Sequence, residues 1–171
     1  MNHLAQLVKN TYTKYNINFE KNIIFTNEEH KFRVSCLKEE WNEYLESMTR
    51  EDSLDALVDL LYFVFGTIER QVGIENFIFK EVYTDALIND IINKYSETKD
   101  IYLMNDLMHV IYSLVLFNHF GDIFEEAFKR VNEANMKKEI GPLQKRGSFQ
   151  LDLIKPMGWK SPILIDLLEA Q

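Results

Sequence analysis

The first proline of this chain is residue 142, and the 141 residues up to it hold only four glycines, at 66, 73, 121 and 141. So long a stretch without the two strongest helix breakers, with apolar residues recurring every three or four positions, predicts an all-α helical bundle. A first helix is expected near 2–15, followed by the irregular segment NINFEKNIIFTNEE. A second is expected over about 28–48, with Thr26 or Asn27 as N-cap and Leu37, Trp41, Tyr44, Leu45 and Met48 as its apolar stripe. A third covers about 51–72, capped by Thr49 or Asp52 and stopped by Gly73. Further helices are expected near 75–95, 100–119 and 122–139, with SETKD as a turn. All three prolines and three of the six glycines fall at or after residue 141, so 141–162 reads as a loop-rich tail before a short helix at 162–169.

With 171 residues, 46 % of them hydrophobic, the chain suits one domain, 1–171, with an ample core. A formal net charge of −8 and a pI near 5.0 speak against binding to nucleic-acid backbones or anionic membranes. The single cysteine, Cys36, excludes an intramolecular disulfide and a cysteine zinc cluster. It fits a reducing cytoplasm, and the opening MNHLAQLVKNTYTKYN lacks the apolar region of a secretory signal. The apolar runs near 57–65 and 114–117 are far short of a membrane span. The expected location is therefore cytoplasmic.

Asp59 stands inside the apolar run Leu57 to Phe65. An ionised carboxylate buried without a partner is costly, so such charges are paired or bind metal. Glu39 and Glu43 lie four apart, Glu40 and Glu43 three apart, and Asp55 and Asp59 four apart, so each pair shares one face of its helix. An antiparallel turn at TRED brings the two acidic faces together, and like charges that close call for a cation. A hard divalent ion with oxygen ligands is one answer; an arginine partner for Asp59, Arg33 or Arg70, is the other. The glutamates of the second helix also read as a plain solvated face, as do Glu46 and Glu51.

The stretch EEWNEY followed by DALVDLLYFVFGT resembles the signature of the all-α nucleotide pyrophosphohydrolases, the superfamily of MazG, phosphoribosyl-ATP pyrophosphohydrolase and the dimeric dUTPases. Its pattern is E-x-x-E and then, after a spacer, E-x-x-D. Glu40 and Glu43 match the first half, Glu39 the glutamate that precedes it, and Asp59 the final aspartate. Ala56 departs from the pattern, and DALVD resembles the variant of bacteriophage MazG-like proteins, leaving either Asp55 or water as fourth ligand. FKRVNEANMKK resembles the family segment ending in N-M-x-K, here Asn135, Met136 and Lys138. KRGSFQLDLIKPMGWKSP resembles the phage-type tail, with Lys155, Pro156, Gly158, Trp159 and Pro162.

The resemblance implies hydrolysis of a nucleoside or deoxynucleoside triphosphate to the monophosphate and pyrophosphate, with Mg²⁺, or Mn²⁺, at Glu40, Glu43, Asp59 and Asp55. Glu39 is then the base that takes a proton from the attacking water. Asn135, Lys138, Lys145, Arg146, Lys155 and Trp159 are the expected substrate contacts, Trp159 as a base-stacking ring or a packing anchor. Lys137 and Lys160 read as solvated. Residues 77–119 form an insertion relative to short members of the superfamily. It carries an echo: DLMHVIYS at 106–113 resembles DLLYFVFG at 59–66, making Asp106 a rival to Asp59, with His109 read as a hydrogen-bonded core residue. Phe63, Phe65, Phe77, Phe79, Tyr62 and Tyr83 exceed what a thin bundle needs, so a homodimer is expected. The rival is a pseudo-dimer within one chain. A non-catalytic helical interaction protein with a degenerate acidic site is the alternative function. A calcium module is disfavoured because no EF-hand loop is present.

Overall fold

The computed structural model of the protein describes residues 2–17, 25–80, 86–141 and 152–171. Lys145, Arg146 and Tyr83, named above, lie outside the described residues, as do residues 142–151 of the expected loop at 141–162. The architecture is all-α: helices α1 (Asn2–Lys14), α2 (Asn27–Glu46), α3 (Arg50–Gln71), α4 (Ile88–Thr98), α5 (Leu103–Phe117), α6 (Phe124–Asn135) and α7 (Ile165–Glu169).

The helix starts follow local chemistry. The Thr26 side chain accepts a hydrogen bond from the Glu29 amide and caps α2; Thr49 accepts from Asp52 and caps α3. Only residues 47–49 separate the two helices, so α2 and α3 form a tight antiparallel pair. Leu45 and Met48 are exposed at that turn, 57 % and 95 %, and so fall outside the stripe expected for α2. The helix instead buries Glu29, Arg33, Cys36, Leu37 and Glu40. Helix α3 is the hub. Leu54, Leu57, Leu60, Leu61, Val64, Phe65 and Ile68 are all fully buried, because α1, α2, α5 and α6 pack around it. In turn α4 packs on α2 and α5, so the α4–α5 pair lies against the α2–α3 pair.

The helix expected at 75–95 is a correction. Gly73, with φ of 81°, ends α3, and a single 3₁₀ turn follows at Ile74–Asn76. Residues 77–80 are then non-helical. Phe77 is buried, Ile78 is exposed and Phe79 packs on the core, an alternation that suits an extended chain. The side chain of Asn105 clamps this segment, accepting from the Lys80 amide at 3.1 Å and donating to the Lys80 carbonyl at 2.9 Å.

Helix α6 also ends four residues short of expectation. Its last carbonyls find partners elsewhere: Tyr15 Oη donates to Asn135 O and Lys138 O, Lys14 to Met136 O, and the Trp159 indole to Ala134 O. The chain leaves α6 as strand β1 (Glu139–Gly141), paired antiparallel with β2 (Asp152–Ile154). Part of the tail expected to be loop is thus a two-stranded ribbon.

Most of the aromatics behind the expected homodimer serve the core of this chain. Tyr62, Phe65 and Phe77 are buried, and Phe63 and Phe79 pack against the same core, covered by elements of this one chain. Phe63 and Phe79 remain half-exposed.

Candidate active site

A single polar seam runs along α3. Asp55, Asp59, Tyr62, Gly66 and Arg70 recur at spacings of four, three, four and four, so they share one face of the helix. At the far end from the α2–α3 turn, Arg70 donates to both oxygens of the buried Glu29, at 2.6 and 2.8 Å. Arg33 lies 3.7 Å from the same carboxylate and donates to Tyr12 Oη at 2.5 Å. Tyr12 reaches this place because α3 carries Gly66 there. A Cβ at that position would sit 2.1 Å from the Tyr12 hydroxyl and 3.1 Å from the Arg33 guanidinium.

The Glu29–Arg70 contact fixes the register of the antiparallel pair. Eleven residues on from Glu29 is Glu40, and eleven back from Arg70 is Asp59; equal rise sets these two opposite each other. Continuing, Glu43 comes level with Asp55. The carboxylates singled out in the sequence are therefore brought to the turn end of the seam. Glu40 is buried, Asp55, Asp59 and Glu39 are half-buried, and Glu43 is exposed. Arg33 and Arg70, the candidate partners of Asp59, are both committed to Glu29.

Electrostatics mark this end as strained. Burial, then the Asp55 carboxylate, push Asp59 up to about 7, with Glu43 adding to the rise. Burial, then Glu43 and Glu51, raise Asp55 as well. Lys138 and Lys155 oppose both shifts, so these two ammonium groups face the acidic end. Among the described residues, no three acidic, histidine or cysteine side chains as they stand are close enough to hold a metal ion. The donor chemistry nonetheless suits a hard cation: oxygen ligands only, with burial and then mutual repulsion resisting their ionisation. Residues 14–83 match the family model of phosphoribosyl-ATP pyrophosphohydrolase. The likeness to the MazG-like all-α superfamily therefore holds. The family is one of nucleotide pyrophosphohydrolases, and the matched segment contains every carboxylate of the seam. It stops before α4, α5 and α6. No curated protein and no solved structure matches the chain.

The remaining expected residues are placed as follows. Asn135 is buried, and nearby the Tyr62 hydroxyl, which burial raises far above its ordinary value, donates to Asn132 Oδ1 at 3.4 Å. Trp159 is a packing anchor: its indole N–H donates to Ala134 O at 2.9 Å. Lys137 and Lys160 are exposed, as expected. In the echo segment, Asp106 is half-buried, and no carboxylate of α4 matches the Glu40–Glu43 pair. His109 bonds the Lys80 carbonyl at 2.6 Å, as expected, but it is half-buried and not a core residue. Glu29 was missed as the partner of both arginines. Its i, i+4 spacing to Arg33 was the available signal.

Proposed function

We propose that the protein hydrolyses a nucleoside or deoxynucleoside triphosphate to the monophosphate and pyrophosphate, with a divalent cation at the turn end of the α2–α3 seam. The observation that carries this reading is the contrast along one seam. Glu29 has two arginines, whereas Asp59, Asp55 and Glu43 repel one another with only lysine tips to oppose it. Its position inside the family match gives the reaction class.

Glu40, Glu43 and Asp59 would hold Mg²⁺, or Mn²⁺, with Asp55 in the place where the family pattern expects glutamate. Position 56 carries a buried alanine instead. A bound ion supplies neutralisation of charge on the phosphate oxygens and the departing pyrophosphate. The chain's own groups do the rest. Glu39 accepts a proton from the attacking water as the water oxygen bonds to phosphorus and the bond between the first and second phosphates breaks. Lys138 and Lys155 bind phosphate oxygens from the tail side.

Pyrophosphate released from a panel of ribo- and deoxyribonucleoside triphosphates in Mg²⁺ tests the reading. Turnover that disappears with Asp59→Asn supports it. No release from any member, with the fold intact, returns the protein to the class of helical interaction modules. As to assembly, α4–α5 and α6 already cover α3, so we expect one chain per particle, a mass near 20.3 kDa by light scattering. Twice that mass would restore the homodimer.

A further inference from the structure

A cleft of about 620 Å³ opens where the first turn of α3, the α5–α6 turn and the residues after α7 meet. It is of small-molecule size, and Arg50, His119 and Asp122 are its ionisable lining. Two of these residues are poor local choices. Arg50 opens α3, although a cation in the first turn opposes the helix dipole. Its Nη2 donates to Gln171 Oε1 at 2.9 Å and to Asn118 O at 3.5 Å, both uncharged, and the guanidinium lies 5.4 Å from the centroid of the buried Phe120 ring. Among the described residues it has no ion pair. The acids that follow it in α3 do not line the cleft, and Glu51 is turned to the Leu164 amide at 3.1 Å.

His119 is the second. Helix α5 ends in a Schellman turn: the His119 amide donates to Leu116 O at 3.1 Å and the Phe120 amide to Val115 O at 2.9 Å. That turn sets His119 at φ of 59°, where glycine is the usual occupant. A histidine there carries strain, and no contact of its ring among the described residues offsets it. Strain of this kind gathers at ligand sites. Gln171 Nε2 donates to His119 O at 2.8 Å, so one carboxamide ties both residues into the same cleft.

We infer that this cleft binds an organic phosphate monoester, with Arg50 and His119 on the phosphate and Asp122 accepting from a hydroxyl of the ester. It needs no divalent ion and stands apart from the pyrophosphohydrolase reading. A guanidinium matches phosphate oxygens in bidentate fashion, and this one is seated in advance. Its support is fixed, since Asn118 Nδ2 donates to Tyr44 Oη at 2.9 Å and to Leu114 O at 2.8 Å. Seating before binding lowers the ordering cost. Asp122 has no partner among the described residues. Its charge opposes bare phosphate, whereas its oxygens suit a hydroxyl donor, so the site favours an ester.

Calorimetric titration of the full chain in EDTA with glycerol phosphate, adenosine monophosphate and inorganic phosphate is the test. Both esters should bind more tightly than inorganic phosphate. Tighter binding of the nucleotide would assign the cleft to nucleotides, and equal binding to hydroxylated phosphates at large. Arg50→Gln is expected to weaken ester binding about tenfold or more, with unchanged helical circular dichroism. His119→Gly should weaken it several-fold while raising the melting temperature by about 2–4 °C, because glycine relieves the strain. Asp122→Asn should narrow the gap between the esters and inorganic phosphate. Asp59→Asn should leave binding unchanged, which separates the cleft from the acidic end of the seam. No ester binding by the unaltered protein, full binding by Arg50→Gln or by His119→Gly, inorganic phosphate bound as tightly as the esters, or loss of binding in Asp59→Asn would each overturn the inference.

Discussion

The two ends of the α2–α3 seam are built from the same helices, on the same faces, in the same register, and they solve opposite problems. At one end a buried carboxylate meets two guanidinium groups, one of them in bidentate contact. At the other, carboxylates on both helices meet one another. The first arrangement is complete as it stands, and its value lies in fixing the register. The second is left with burial and mutual repulsion among Asp59, Asp55 and Glu43, the pattern on which the proposed cation site rests. One hairpin thus separates the residues that set geometry from those proposed to do chemistry by about three helical turns.

The sharpest way to break the comparison is Asp59→Asn, which removes charge and little volume. Turnover should fall more than about 100-fold, beyond the loss typical of groups that only support ligands. The fold should survive, since burial already disfavours the ionised form. Retained turnover would shift the assignment to Asp106. The complementary change, Glu29→Gln, should act on stability: stripping the carboxylate from two buried arginines is expected to cost about 3–5 kcal/mol in denaturant unfolding. If both substitutions behaved alike, the division between the two ends would be false.

Third in size is a pH effect. Asp59, and Asp55 with it, hold protons in the native state above their ordinary value near 3.8, with Asp59 near 7. The unfolded chain releases those protons earlier. These groups therefore subtract stability progressively as pH rises from about 4 to about 7. Melting temperature without divalent ions should fall over that interval, less so in Asp59→Asn. Added Mg²⁺ should restore it most at the upper end, where the carboxylates are ionised. A melting profile indifferent to Mg²⁺ at pH 8 would count against the cation. The smallest expected effect belongs to Gly66→Ala. Tyr12 and Arg33 must shift to admit the methyl group, at a cost of about 1–3 kcal/mol and with the acidic end unaltered.

Periodicity made most helices legible. It failed at 77–80, where the aromatic alternation of Phe77, Ile78 and Phe79 gives an extended chain held by Asn105, a partner twenty-five residues on. It failed again for β1 and β2, three residues each and too short to carry a pattern. Of the site, the carboxylate spacing within each helix was readable. The register between helices was not, since it depends on Glu29 finding Arg70 forty-one positions away. The role of Trp159 was open for the same reason: its partners lie on α6 and at the ends of both strands. That Tyr62 and Phe65 are covered by other helices of the same chain leaves no local trace in α3.

One further consequence concerns the order in which the molecule can be made. Helix α1 buries Leu4, Ala5, Val8 and Tyr12 between α3 and α6, and Thr11 Oγ1 donates to Asn132 Oδ1 across 121 positions. At a translation speed of about 5–20 residues per second, that partner emerges roughly 10 s after α1. Until then an amphipathic helix waits with its apolar stripe uncovered, while α2 and α3 can already zip together beside it. Helix α1 is then among the last of these helices to dock, and chaperone capture of nascent chains should be strongest for lengths between α3 and the end of α6.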